Sequence, residues 1–187
     1  MHKVGLFVDG GYLDKVLDPM RHGRKIDYHL LLTNIVAKAG TDREIIRIYY
    51  YRCLPYQNSP PTPEQSSKIS SAQRFFRALQ RTPRFEVRLG RLAYRGDDSE
   101  GRPIYEQKRV DLLLGIDLTL HAAKHTLDEI FMIAGDSDFI PAIQAAKSEG
   151  IVTYLAHGIF PHDDLLDEVD ERIEITQALV DSAVRLI

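Results

Sequence analysis

The chain has 187 residues, a length that suits one globular domain with a proper core and makes two domains a tight fit. Its 44% hydrophobic and 27% charged residues are ordinary for a soluble protein, and with a formal net charge of −3 any nucleic-acid surface must be local. Its single cysteine, Cys53, excludes an intrachain disulfide and a cysteine-based zinc site within one chain, and its seven histidines are scattered without paired spacing.

From the N-terminus the chain runs at once into a strand pattern, Val4 to Asp9 (VGLFVD), without signal-peptide architecture. No apolar stretch approaches the roughly 20 residues of a membrane span, so the expectation is a cytoplasmic protein without a membrane partner. Gly10-Gly11 reads as the stop of this strand, and Tyr12 to Leu17 as a short helix. Asp27 is placed to cap a helix through Leu30, Leu31, Ile35 and Val36 that ends at Gly40. Glu44 to Leu54 is the next strand, in which Tyr49, Tyr50 and Tyr51 read as strand packing. Pro55 to Pro63, with four prolines, is a loop.

Ser70 to Thr82 has helical spacing, with Phe75, Phe76 and Leu79 on one face and Arg74, Arg77 and Arg81 on another. Phe85 to Tyr94 alternates as a strand, Asp97 to Gly101 is a turn, and Pro103 to Tyr105 returns as its hairpin partner. Val110 to Ala123 is a leucine-rich helix, Glu129 to Gly135 a buried strand, Phe139 to Ser148 a helix stopping at Gly150, and Ile151 to Gly158 another strand. The tail from Leu165 to Leu186 reads as mostly helical, with a short strand near Ile173 to Ile175. Apolar strands alternating with helices predict an α/β fold: a three-layer sandwich with a mostly parallel central sheet, as one domain over residues 1–187.

Ligands of open α/β sheets bind beyond the carboxyl ends of the strands. Asp9 ends the first strand, and Asp136 and Asp138 follow the strand that ends in Gly135, so both loops should face one edge. Asp111 opens the leucine-rich helix. Asp117 lies six residues on, about 120° around the axis, and belongs at most to the edge of the site. Aspartates grouped without cysteine or histidine suit a hard cation, Mg²⁺ or Mn²⁺. Each residue also has a plain reading: Asp9, Asp136 or Asp138 as helix caps, Asp111 as a favoured acid at a helix start, Ser137 as a capping hydroxyl. Their coincidence at one edge favours the metal reading.

FVDGGYL, KRVD with the following IDL, and IAGDSDFIP occur in the order seen in the NYN domains, the LabA-like branch of the PIN-like nucleases, which the chain resembles from Val4 to Gly158. The most specific element is Gly-Asp-Ser-Asp-Phe. The resemblance makes Asp9, Asp111, Asp136 and Asp138 the acidic metal-binding and catalytic residues, and Lys108 the lysine of Lys-x-x-Asp, set to touch a scissile-strand phosphate. It implies a PIN-like, Rossmann-like fold and metal-dependent hydrolysis of RNA, single-stranded RNA above all, by an endoribonuclease. Tyr12 departs from the pattern, since many members have Asn there.

From Lys68 to Arg95 eight lysines and arginines face one acid, Glu86. Arg74, Arg77 and Arg81 are candidate nucleic-acid contacts, and Phe85 and Tyr94 candidate stacking surfaces. A regulatory RNA- or protein-binding module with little turnover is the competing reading. A haloacid-dehalogenase-type phosphatase is disfavoured because Gly11 stands where its second aspartate belongs, and a dinucleotide enzyme because no G-x-G-x-x-G follows the first strand.

Overall fold

The computed structural model of the protein describes residues 1–159 and 161–185, and within them every side chain except those of residues 103 and 106–108. In chain order the elements are β1 (His2–Asp9), α1 (Gly10–Arg21), α2 (Tyr28–Lys38), β2 (Arg43–Cys53), α3 (Pro63–Gln80), β3 (Phe85–Asp97), β4 (Pro103–Lys108), α4 (Val110–Ala123), β5 (Glu129–Ile133), a 3₁₀ turn (Ser137–Phe139), α5 (Ile140–Ser148), β6 (Val152–His157), α6 (Asp163–Glu168), β7 (Glu171–Glu174) and α7 (Gln177–Asp181).

The seven strands form one sheet in the order β4-β3-β2-β1-β5-β6-β7. Every neighbouring pair is parallel except β3 and β4, the hairpin anticipated around Asp97 to Gly101. The central strands are apolar on both faces because both faces are covered. Val4, Leu6 and Val8 of β1, Ile48 and Tyr50 of β2, and Phe131 and Ile133 of β5 enter one core with α1, α2, α3 and α7. Phe7, Tyr49, Tyr51, Ile130 and Met132 enter the opposite core with α4, α5 and α6. The result is three layers, helices over sheet over helices. No helix among the described residues is long and apolar enough to cross a membrane.

Three sequence expectations are corrected. Gly10 and Gly11 do not separate strand from helix; they are the first residues of α1, which runs on through Pro19 to Arg21. A Cβ on Gly10 would come within 2.5 Å of the Tyr50 ring, so glycine is there to let the helix start touch β2. The helix expected from Ser70 begins at Pro63, at a capping box of Thr62 and Gln65 with Pro63 in the first turn. Its outer residues are polar, so periodicity reported only the inner half. The C-terminal tail is not mainly helical: two helices of 6 and 5 residues flank β7, which pairs with β6. Residue 186, where that helical reading ended, lies outside the described residues.

Candidate functional site

β1 and β5 are parallel neighbours with Val8 opposite Ile133, so Asp9 and the Ala134–Asp136 segment leave the sheet at the same edge. The order of winding also reverses here. From β1 the chain builds outward through β2 and β3, whereas β5 begins the other half through β6 and β7. Such a switch point opens a crevice between the loops that diverge to either face.

Asp9 is the N-cap of α1, and its Oδ1 accepts hydrogen bonds from the backbone N–H of Gly11 (2.8 Å) and Tyr12 (3.2 Å). Burial pushes its carboxyl pKa up, while those two N–H groups and the charges of Arg52 and Lys15 pull it back. Asp136 caps the 3₁₀ turn through Oδ1, which accepts from Asp138 N (3.0 Å). The cap reading and the cluster reading are thus not exclusive, because each cap uses one carboxylate oxygen. Asp111, in the first turn of α4, has its carboxyl pKa raised by burial and then by the charges of Asp9, Asp136 and Asp138. Those three carboxylates act on the fourth, so all four share one neighbourhood. Among the described residues no three His, Cys, Asp or Glu side chains draw close enough, as they stand, to hold a metal ion.

Asp117 is engaged elsewhere. It accepts from the Tyr51 hydroxyl (2.8 Å) and faces Arg88 (3.3 Å). Lys108 ends β4, and its side chain lies outside the described part of the structure. Arg74, Arg77 and Arg81 are exposed, and none has a carboxylate partner among the described residues. Three other cations of the same segment do: Lys68 pairs with Glu64, Arg84 with Glu44, and Arg88 with Glu86 and Asp117. The arginine face also leads away from the aspartates. α3 carries the chain from the carboxyl end of β2 to the start of β3, and Arg84 just beyond it binds the Ile45 carbonyl near the start of β2.

Beside Asp9 and Asp136 lies a cleft of about 520 Å³, also lined by Tyr12, Lys15, Val16, Gly135, Ile159 and His162. Tyr12 ties its walls together: its hydroxyl accepts from Gly158 N (3.1 Å), and its ring edge lies where a Cβ on Gly135 would be. Sequence reasoning treated Tyr12 only as a departure and passed over Lys15 and His162. A signal existed for Lys15, since Tyr12, Lys15 and Val16 share one face of a helix that starts at Asp9. None existed for His162, which arrives from the β6–α6 connection through a bond from its N–H to the Gly135 carbonyl (3.1 Å). Gly135→Ala should push the methyl into Tyr12 and cost about 2 kcal/mol of stability. Denaturant unfolding checks this, and Tyr12→Ala in the same chain should return part of the loss.

The fold is thus that of a doubly wound α/β protein with aspartates at the carboxyl ends of its two central strands. The particular family follows from the sequence match: the NYN domain family matches residues 3–176, and the chain belongs to it, within the PIN-like nuclease superfamily. The fold is also similar to the crystal structure of Acinetobacter baumannii MurG, with a TM-score of 0.43 and 11% identity, over 94% of this chain and 42% of that chain. The chain therefore spans under half the length of that protein. No curated protein matches it in sequence.

Proposed function

We propose that the protein is a metal-dependent endoribonuclease that hydrolyses phosphodiester bonds of single-stranded RNA, with residues 1–187 forming one PIN-like domain. What supports this reading is that the parallel neighbours β1 and β5 deliver Asp9 and Asp136 to one edge and one cleft, with Asp111 near enough to feel the charges of Asp9, Asp136 and Asp138. An all-oxygen donor set of this charge fits Mg²⁺ or Mn²⁺ and does not fit a soft metal. The four aspartates would hold the ion, each capping carboxylate still having an oxygen outside its cap. When bound, such an ion lowers the pKa of a water and neutralises charge on the phosphate.

The remaining roles belong to the chain's own groups. Lys15 has no ion pair among the described residues and offsets part of the negative field at Asp9. Tyr12 holds the Gly135–Asp136 turn against the β6 exit, fixing the spacing of two of the acids. Lys108, three residues before Asp111, would take a phosphate next to the cut. Arg74, Arg77 and Arg81 would hold phosphates farther along the strand.

The deciding experiment incubates purified protein with labelled RNA and DNA, in Mn²⁺ or in EDTA. Cleavage of RNA that needs Mn²⁺ supports the enzyme. Binding without cleavage in any divalent ion would turn the reading to a regulatory module of the same fold. A second measurement isolates the arginines. Arg74→Gln/Arg77→Gln/Arg81→Gln should weaken RNA binding and flatten its salt dependence, by about 0.7 in log–log slope for each phosphate no longer neutralised. Cleavage at saturating RNA should hardly change. An unaltered slope would reduce the α3 face to a solvated surface.

A further inference from the structure

Three tyrosines from separate segments meet on the β3–β4 hairpin. Tyr94 stands opposite Tyr105 in the strand register, and Tyr56 comes in from the loop after β2. The ring centroids lie 5.0 Å apart for Tyr56 and Tyr105, 6.0 Å for Tyr56 and Tyr94, and 6.2 Å for Tyr94 and Tyr105. The group is not core. Tyr94 is 46% exposed, Tyr105 40%, and Ile104 beside it 47%. Clustered aromatic surface left in water is costly unless something covers it.

The hairpin's position says what would cover it. β3 runs parallel to β2 and continues past the last residues paired there, so the hairpin projects beyond the carboxyl edge that carries Asp9 and Asp136. At its base Arg109 follows β4 directly and has no carboxylate partner among the described residues. Arg109 is the N-cap residue of α4, and Asp111 lies two residues beyond it. Lys68 lies near Tyr105. The order along this edge is therefore aromatic cluster, basic collar, acidic site. From Tyr105 to Asp111 the chain advances six residues, which at about 3.3 Å each spans at most ~20 Å. Aromatic rings beside a positive groove are how proteins hold single-stranded nucleic acid: rings stack on bases of any sequence while cations follow the phosphates.

We propose that Tyr56, Tyr94 and Tyr105 form a base-stacking platform for single-stranded RNA, a few nucleotides from the bond held at the aspartates. Arg109 binds an intervening phosphate. The choice of RNA as occupant rests on the nuclease reading; the platform itself rests on the exposed rings and the collar.

The test is binding of a fluorescein-labelled single-stranded RNA to the full chain in EDTA, so that turnover plays no part. Tyr94→Ala/Tyr105→Ala should weaken binding at least tenfold, whereas Tyr94→Phe/Tyr105→Phe, which keeps the rings, should bind within about twofold of wild type. An abasic substitution walked along the RNA should weaken wild-type binding at one short window and leave the alanine variant indifferent. Equal affinity of the alanine variant and wild type would overturn the platform, and so would an equal loss in the phenylalanine variant. If alanine substitution changes the oligomeric state by light scattering while RNA affinity holds, the patch is a protein interface and the proposal falls. Tyrosine-dependent RNA binding without cleavage in Mn²⁺ would keep the platform and sink the nuclease reading; cleavage with an unchanged KM in the alanine variant would do the opposite.

Discussion

If the protein is the proposed ribonuclease, Asp136→Asn is expected to reduce RNA cleavage by on the order of a hundredfold to a thousandfold while leaving RNA binding within a few-fold of wild type. The neutral side chain keeps an oxygen able to cap the Asp138 N–H, so the turn survives. What it loses is one of the four charges proposed to hold the ion, and several kcal/mol of metal-derived stabilisation would convert to a rate loss of that size. The same variant separates site from scaffold by its melting behaviour. Mn²⁺ at about a hundred times its dissociation constant should stabilise the wild type by about 2.7 kcal/mol, because only the folded chain presents the cluster. The gain should shrink in Asp136→Asn. In EDTA, Asp111→Asn should melt no lower than wild type, since it removes a carboxylate that burial and three like charges disfavour. A wild-type melting curve indifferent to millimolar Mn²⁺ would count against a site formed in the native chain.

Glu129→Ala should cost about 3 kcal/mol of folding stability. Glu129 is the first residue of β5 and one of the few buried charged side chains, 4% exposed. Arg43 holds it with two bonds, Nε to Oε2 at 2.6 Å and Nη2 to Oε1 at 3.1 Å, and also donates to the Ala39 carbonyl and the Tyr154 hydroxyl. The pair ties the start of β2 to β5 across β1. Removing the acid leaves the guanidinium largely out of water without its partner charge, the costly half of a buried ion pair. Arg43→Met/Glu129→Leu should lose much less than Glu129→Ala, because both charges leave together. Urea denaturation of wild type, Glu129→Ala, the single variants Arg43→Met and Glu129→Leu, and their double variant measures this. A double variant as unstable as the sum of its single variants would mean that the two residues act independently.

The candidate site was partly legible because strand ends are legible. VGLFV and EIFMIAG are apolar runs, each followed by an aspartate, and a parallel sheet delivers such ends to one edge whatever the strand order. Helix spacing set Asp117 apart from Asp111; in the structure Asp117 contacts Tyr51 and Arg88. The plain cap readings of Asp9 and Asp136 were physically sound as well, since a carboxylate has two oxygens and a cap consumes one. The arginine face illustrates the limit. Periodicity placed Arg74, Arg77 and Arg81 on one side of a helix, and the structure leaves them exposed there. Only the crossover from β2 to β3 reveals that this side runs away from the aspartates.

The sequence by itself determined the alternation of strands and helices, the β3–β4 hairpin, the acidic strand ends and the family, because each is written in residues close along the chain. Tertiary structure decided the sheet order β4-β3-β2-β1-β5-β6-β7 and hence the switch point between β1 and β5. It also decided that Tyr12 spans from α1 to Gly135 and Gly158, that His162 lines the cleft, and that Tyr56 joins Tyr94 and Tyr105. Such partners are separated by tens to more than a hundred residues. Hydrophobic periodicity specifies which face of an element is buried, but not which distant element covers it, and that choice is made only when the whole core packs.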